Sequence, residues 1–324
     1  MISIVIPTYN GKEHLQLCFD SLLNQQINNS KSGINKEFRI ILVDNGSVDN
    51  TADFVESFYP DVEVIKLDKN YGFAKAVNEG IKHSLSDSRV THVLLLNNDI
   101  ECKEDFLEKM VSGFINEDVG SVACKMLNFY YRTKIDDVGD FIKLIGSPYA
   151  RGHSETDNGQ YDKPEYIFGA CAGASIYKRE VFEKVGLFDE DFFAYYEDVD
   201  FSLRLQMFGY KCFYNPEAVC YHKRGSTTGH MTGFQTMLCE QNLITLRVKN
   251  YPLFTYLKLQ PLFAAARVKR YIQFFFSKQP GLFFKALYGY FKGLKQLPKS
   301  IKKRKILFSK INLSNKEFAK LFKQ

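Results

Sequence analysis

Over the first hundred residues, short apolar runs alternate with stretches whose apolar positions recur every three or four residues. Residues 3–7 form a continuous apolar run stopped by a turn signal, which predicts a buried strand. Residues 12–25 have helical spacing through Leu15, Leu22 and Leu23. A second strand over 39–43 leads into Asp44-Asn45-Gly46-Ser47, and a short helix fits 49–58. Strand 62–67, helix 73–84 with Ala76, Val77 and Ile81 on one side, strand 91–96 and helix 104–115 continue the alternation. Strands that are apolar throughout and separated by helices predict a parallel sheet covered on both faces.

Such sheets bind ligands beyond the carboxyl ends of their strands. Four polar clusters sit there: Thr8-Tyr9-Asn10, Asp44-Asn45-Gly46, Asp68 with Asn70 and Gly72, and Asn97-Asn98-Asp99. Turn capping accounts for any one of them, since Asn, Asp and Gly favour turns; the four together point to a binding site. No G-x-x-x-x-G-K-[ST] occurs and no G-x-G-x-x-G follows the first strand, which excludes a P-loop nucleoside triphosphatase and a standard dinucleotide-binding domain. A nucleotide still fits over the sheet. Asp44 can accept a hydrogen bond from the imide N–H of uracil or thymine, and Asp99 can hold a divalent cation against a diphosphate.

The second half changes character. Residues 129–165 mix Gly, Asp, Ser and Pro and read as irregular. Residues 166–177 (YIFGACAGASIY) read as a strand that a ligand approaches closely, and 179–185 as a short helix. Residues 198–208 fit a helix with Phe201, Leu205 and Phe208 inward. Glu197, Asp198 and Asp200 crowd its first turn, where the helix dipole favours carboxylates. That is either plain capping or a general base facing the site.

The ordered set SIVIPTYNG, VDNGSVDNT, NYGFAKAVNEG, LLLNNDI and GACAGASIYKREVFEKVGLFDEDFFAYYEDVDFSLR resembles the inverting family 2 glycosyltransferases of the GT-A fold over residues 2 to about 225. The resemblance implies an α/β catalytic domain over 1–225, followed by a helical, basic region over 226–324. It implies that Pro7, Tyr9 and Asn10 line the nucleotide pocket, that Asp44 with Asn45 reads the base, and that Asp68, Asn70 and Gly72 border the nucleoside with Asn78 nearby. Asn97-Asn98-Asp99 takes the place of the metal-binding D-x-D, with Asn97 where many members carry Asp. Asp99 and His222 would hold Mg²⁺ or Mn²⁺; alternatively His222 is a polar residue capping a strand end. Asp198, beside Glu197, matches the catalytic base, and Gly169 and Gly173 border the acceptor. The implied donor is dTDP-rhamnose, on the likeness of ARGHSETDNGQYDKPEYIFGACAGA to rhamnosyltransferase-like members, with Arg151 near a phosphate. The alternatives are a UDP-hexose or UDP-N-acetylhexosamine donor, or a catalytically silent relative acting as a membrane scaffold. The implied acceptor is a glycan, lipid-linked, of a bacterial surface polysaccharide. A sugar-phosphate nucleotidyltransferase is disfavoured by the lack of a Gly-rich, basic N-terminal loop.

Composition sharpens two points. Of 324 residues, 45% are hydrophobic and 25% charged, an ordinary globular balance that can bury a core without disulfides. The seven cysteines are scattered, odd in number and never in a C-x-x-C pair, which predicts reduced thiols rather than disulfides or a zinc site. MISIVIPTYNG has no basic n-region or cleavage pattern, so the expectation is a cytoplasmic protein.

Charge divides the chain. Residues 241–324 hold 19 Lys+Arg and one acid, Glu317, for a formal +18, while the rest holds 24 Lys+Arg and 36 Asp+Glu, for −12. An acidic body argues against nucleic acid as the ligand. In the tail, Phe283, Leu287, Tyr290, Leu294 and Leu297 fall on one side of a helix over 282–299, opposite Lys285, Lys292, Lys295 and Lys299. With the basic cluster at 301–305, this predicts an interfacial helix on an anionic membrane surface; a helix packed on the catalytic domain, or one mediating dimerisation, is the alternative.

Overall fold

A computed structural model describes residues 1–26, 37–224, 232–277, 279 and 281–322. Its first half alternates as expected: β1 (Ile2–Thr8), α1 (Lys12–Leu23), β2 (Phe38–Asp44), α2 (Thr51–Phe58), β3 (Glu63–Lys66), α3 (Phe73–Leu85) and β4 (His92–Leu96). The strands β3, β2, β1 and β4 lie side by side and parallel. Their uninterrupted apolar sequences have a direct cause. Ile2, Ile4, Ile6, Ile40, Leu42, Leu94 and Leu96 face one layer with Leu15, Phe19, Leu22 and Phe106. Val5, Ile41, Val43, Val93 and Leu95 face the other with Ala76, Val77 and Ile81. Successive strand residues point to opposite faces, so both sets must be apolar. Each fully buried Ile or Leu contributes about 1.5–3 kcal/mol.

The sheet then turns mixed. It continues with β5 (Ile100–Cys102), α4 (Phe106–Ser112), β6 (Val119–Asn128), β7 (Ile135–Asp137), β8 (Asp140–Ile142), β9 (Pro148–Ala150), β10 (Glu165–Ile167), β11 (Ala174–Lys178), α5 (Arg179–Val185), α6 (Glu197–Met207) and β12 (Lys211–His222). β11 enters antiparallel between β4 and β6, and β12 runs parallel to β6. β8 and β9 form a separate hairpin. Two expectations are corrected here. The stretch 129–165 contains strands, but three-residue strands leave no readable period. The strand expected over 166–177 is two strands, β10 and β11, parted by a turn that wraps α6: a Cβ on Gly169 would lie 2.3 Å from Ser202 Oγ.

The tail is α7 (Thr232–Asn250), α8 (Leu253–Phe275), α9 (Gly281–Lys295), α10 (Leu297–Phe308) and α11 (Asn315–Lys320). The expected division at 225/226 lies outside the described residues. The tail shares a core with the body: Leu243, Leu246, Tyr251 and Phe263 pack with Phe168, Phe192, Val199 and Leu203. The single helix expected over 282–299 is two, broken at Gln296 with Pro298 in the first turn of α10. Gly289 and Gly293 are the contact of α9 with α7, where a Cβ on Gly289 would sit 2.1 Å from Met237 O. That contact leaves Phe283, Leu287, Tyr290 and Leu294 half-buried and turns Phe284, Tyr288 and Phe291 to solvent.

Candidate active site

Three loops meet at the carboxyl ends of β1, β2 and β3. Pro7 and Tyr9 are half-buried and Asn10 is exposed in the left-handed region at φ 50°. The Asn10 amide N–H donates to Ser47 Oγ at 2.9 Å, and its side-chain Oδ1 accepts from the Val48 N–H at 2.8 Å. Asp44 is buried, with Oδ1 accepting from the Ser47 N–H at 2.9 Å. Asn45 Nδ2 donates to Asn70 Oδ1 at 3.1 Å and to Gly72 O at 3.2 Å, while its Oδ1 accepts from the Tyr71 N–H at 2.9 Å. Asp68 is exposed and accepts from the Tyr71 hydroxyl at 2.9 Å. Gly72, at φ 89°, lies where a Cβ would be 2.5 Å from Phe193 O, so only glycine lets this loop meet the 190s. These residues form one rim.

Asn78 does not join it. Its Nδ2 donates to Phe188 O at 2.9 Å and its Oδ1 accepts from the Phe188 N–H at 3.0 Å, which makes it a buried latch between α3 and the chain ahead of α6. Arg151 is corrected too. It lies 4.6 Å over the Tyr161 ring and donates to Glu165 at 2.5 Å, so its charge is already neutralised beside β10.

Between β4 and β5, Asn97, Asn98 and Asp99 divide their tasks. Asn98 is buried and donates to Thr8 Oγ1 at 2.8 Å, tying β4 to β1. The Asn97 N–H donates to Gly173 O at 2.8 Å, and a Cβ on Gly173 would lie 3.1 Å from Asn97 Nδ2. Gly173 therefore leaves room for Asn97. Asp99 Oδ1 lies 3.2 Å from His222 Nε2, whose other ring nitrogen, Nδ1, is 2.7 Å from Asp136 Oδ2. Burial by itself would lower the His222 pKa, but the hydrogen bonds its ring N–H groups give to the Asp136 and Asp99 carboxylates raise it to about 9. A carboxylate and an imidazole that converge, the imidazole oriented by a second carboxylate, are the donor set a divalent cation takes. The residues present fit such an ion.

At the start of α6, Asp198 Oδ1 accepts from the Val199 N–H at 2.8 Å and Oδ2 from the Ala172 N–H at 3.5 Å. Burial raises its pKa, and those N–H groups restrain the rise. Glu197 is buried, with Oε2 unpartnered, and burial followed by repulsion from Asp198 raises it well above the carboxylate range. Of the two, Asp198 is the one whose carboxylate is held by two N–H donors. Asp140 was not singled out from sequence. Its acceptor oxygen and those of Asp198 and Cys171 Sγ lie within 4.8 Å of one another. Burial, then the Asp198 charge, raise the Asp140 carboxyl well above the ordinary range. Its backbone N–H donates to Gly169 O at 2.9 Å, which places Gly169 against both α6 and β8. The acids at Asp136, Asp137 and Asp140 were the available signal, but they stand in a segment without periodicity.

Residues 3–186 match the family model described as glycosyl transferase family 2. The poly-beta-1,6-N-acetyl-D-glucosamine synthase of Staphylococcus epidermidis is 27% identical over 236 residues, covering 70% of this chain and 51% of that one. An uncharacterised glycosyltransferase of Bacillus subtilis, YfnE, is 27% identical over 252 residues, covering 64% and 60%. The chain thus spans about half the length of the curated relatives it matches. Among solved structures, S. aureus TarS 1–349 in complex with UDP-GlcNAc superposes with a TM-score of 0.58 at 14% identity, covering 99% of this chain and 90% of that one. The mannosyltransferase PcManGT of Pyrobaculum calidifontis, with GDP-Man and Mn2+, gives 0.53 at 18% identity, covering 95% and 85%. At these identities the structures speak for the fold, the mixed α/β GT-A arrangement with its helical C-terminal region. With more than half of its length matched by the family model, the chain belongs to glycosyl transferase family 2.

Proposed function

We propose that the protein transfers a sugar, with inversion, from a nucleotide-diphosphate donor to a hydroxyl of a glycan acceptor. The observation that carries this reading is the presence of two centres at the carboxyl end of β4, the Asp99–His222 pair and the half-buried Asp198 at the head of α6, joined through the turn that bonds Asn97 by Gly173 O and Asp198 by the Ala172 N–H. The nucleoside lies over the rim of Pro7, Tyr9, Asn10, Asp44, Asn45, Asp68, Asn70 and Gly72, with Asp44 toward the base. Asp99 and His222 hold the divalent cation, Mg²⁺ or Mn²⁺, which when bound offsets charge on the leaving diphosphate. Asn97 is neutral, so the cation has one carboxylate there and is bound weakly in the absence of donor. Asp198 takes the proton from the attacking hydroxyl, its raised pKa bringing it closer to the working pH. Attack from the side opposite the diphosphate inverts the anomeric carbon in one step. In this reading Glu197, whose Oε2 has no hydrogen-bond partner, carries the proton of the pair, which lets the adjacent Asp198 keep its charge.

The donor we favour is dTDP-rhamnose, supported by the Asn97-Asn98-Asp99 triplet and the 150–174 segment. A UDP-N-acetylhexosamine donor is the second reading, supported by the names of the staphylococcal relative and the TarS complex. The acceptor in this reading is a lipid-linked glycan of a surface polysaccharide, met at the cytoplasmic face of the membrane. The test is thermal stabilisation by dTDP, UDP, GDP and CMP, each with and without Mn²⁺, since a ligand of the folded state alone raises stability. Metal-dependent stabilisation led by dTDP supports rhamnosyl transfer, and one led by UDP moves the assignment to the second reading. No shift with any nucleotide sinks both and leaves a silent scaffold.

A further inference from the structure

α8 is an amphipathic helix turned outward. Thr255, Leu259 and Phe263 face the body and are buried. At 100° per residue, Phe254, Leu257, Val268, Ile272 and Phe275 fall within about 60° of one another on the opposite side. Each is more than half exposed, at 67%, 58%, 57%, 52% and 55%. At the C-terminal end of the helix, Val268, Ile272, Phe275 and Phe276 line an open apolar groove closed on one side by Phe283 of α9. Phe284, Tyr288 and Phe291 carry the exposed apolar surface along α9. A helix stabilised only by its contact with the body has no reason to place its larger aromatic residues in water, where each forgoes the free energy of burial.

The charges around this face choose its occupant. Lys258 and Lys269 flank the apolar strip of α8, and Lys285 and Lys295 are exposed on α9. Neither helix contains an acid. A second copy docking by the same face would bring lysine against lysine. A bilayer of anionic lipid meets both features, because it takes the aromatic and aliphatic side chains at headgroup depth while the lysines snorkel to the phosphates. Among the described residues no helix is long and apolar enough to cross a membrane. We infer that the outward face of α8, continued by Phe284, Tyr288 and Phe291 of α9, is a docking surface for anionic lipid.

The anchoring of α8 adds a consequence, which rests on the glycosyl-transfer reading. Arg270 donates to Ser147 Oγ at 2.7 Å, in the turn of the β8–β9 hairpin. The same turn is held from α7, where Arg247 donates to Gly146 O at 2.9 Å. β8 opens with Asp140, the neighbour of Asp198. The helix that carries the docking face is therefore braced, on its inner side, against the hairpin that backs the base.

The test uses the full chain and vesicle flotation, with phosphatidylcholine alone and with phosphatidylcholine mixed with phosphatidylglycerol, at low and high salt. Three forms are compared: the natural sequence, Leu257→Ser with Ile272→Ser, and Lys258→Glu with Lys269→Glu. The natural protein is expected to float with anionic vesicles and not with neutral ones, less so at high salt. Each double variant is expected to lose about tenfold in apparent affinity. Nucleotide-induced thermal shift is read in parallel and stays unchanged in both variants, since neither touches the site. Equal flotation of all three forms overturns the inference, as does binding to neutral vesicles with no salt dependence. A dimer seen by light scattering and dissolved by Leu257→Ser with Ile272→Ser gives the face to a second copy and overturns it too. If flotation behaves as expected but no nucleotide shifts stability, the surface stands and the catalytic reading fails.

Discussion

At the residue scale, the site depends on which of its acids are charged. Asp198 and Glu197 are adjacent in sequence, yet one keeps two N–H donors and the other keeps an unpartnered oxygen in the core. Asp198→Asn is expected to lower transfer by about 10²–10⁴-fold while nucleotide-induced stabilisation is retained. Near-normal turnover in single-turnover assays would remove the base assignment. Because burial raises the Asp198 pKa, transfer should increase with pH along an acid limb displaced upward from the ordinary carboxylate range. Asp140→Asn keeps a donor toward Asp198 and should leave that limb in place, whereas Asp140→Ala should shift it. An unmoved limb in both variants would show that Asp140 does not act on the base. His222 supplies a stability signature. Its folded-state pKa of about 9 lies above the ordinary 6.5, so its pairs with Asp136 and Asp99 stabilise fully below about pH 6.5. That contribution is lost as the pH rises toward 9. In chelator, melting temperature should fall across this window in the natural protein and less in His222→Gln.

At the scale of elements, the decisive contacts are backbone approaches. α9 reaches α7 only because residue 289 is glycine. Gly289→Val should destabilise by about 1–3 kcal/mol, read as a lower midpoint in urea, because Met237 O belongs to a helix backbone that cannot yield. An unchanged midpoint would mean that α9 does not dock there. Up to β4, strands and helices were legible to within about two residues, while β5 and β6 were not read. Each strand is buried on two faces and each helix on one, so the two periods separate cleanly. The hairpin β8–β9 and the β10–β11 turn were not legible. Their strands are three to five residues long, too short to show a period, and β10 and β11 pair with strands about 50 residues away.

At the scale of the whole molecule, the opposite charges of body and tail are partly an internal interface. Lys249 of α7 lies 2.7 Å from Asp189 and 2.6 Å from Asp200, all three buried. Lys303 of α10 pairs with Asp189 and Asp191, and Arg304 donates to Val248 O at 2.9 Å. The basic cluster at 301–305 therefore gives Lys303 to the body, while Arg304 ties α10 to α7 within the tail. Burial alone would raise the Asp189 carboxyl, but Lys249 and Lys303 hold it well below the ordinary range. Lys249→Met should cost about 3 kcal/mol, since it removes the buried cation between two buried carboxylates and leaves Asp189 to Lys303 and Asp200 to Arg204. Lys303→Met, at a half-exposed position, should cost about 1 kcal/mol or less. Equal losses in chemical denaturation would contradict this ranking.

The sequence by itself determined the layered α/β body, the family and most of the polar rim at the strand ends, because these follow from local periodicity and from ordered motifs with polar residues fixed at strand ends. It also carried the excess of basic charge in the tail. Only the tertiary structure decided that Asn78 is a latch, that Asp136 orients His222, that Asp140 stands beside Asp198, and that α8 turns its apolar face away from the core. Each of these depends on which surfaces meet across 50 or more residues of chain. A helical pattern shows that an apolar face exists; the partner packed on its other side decides where that face points.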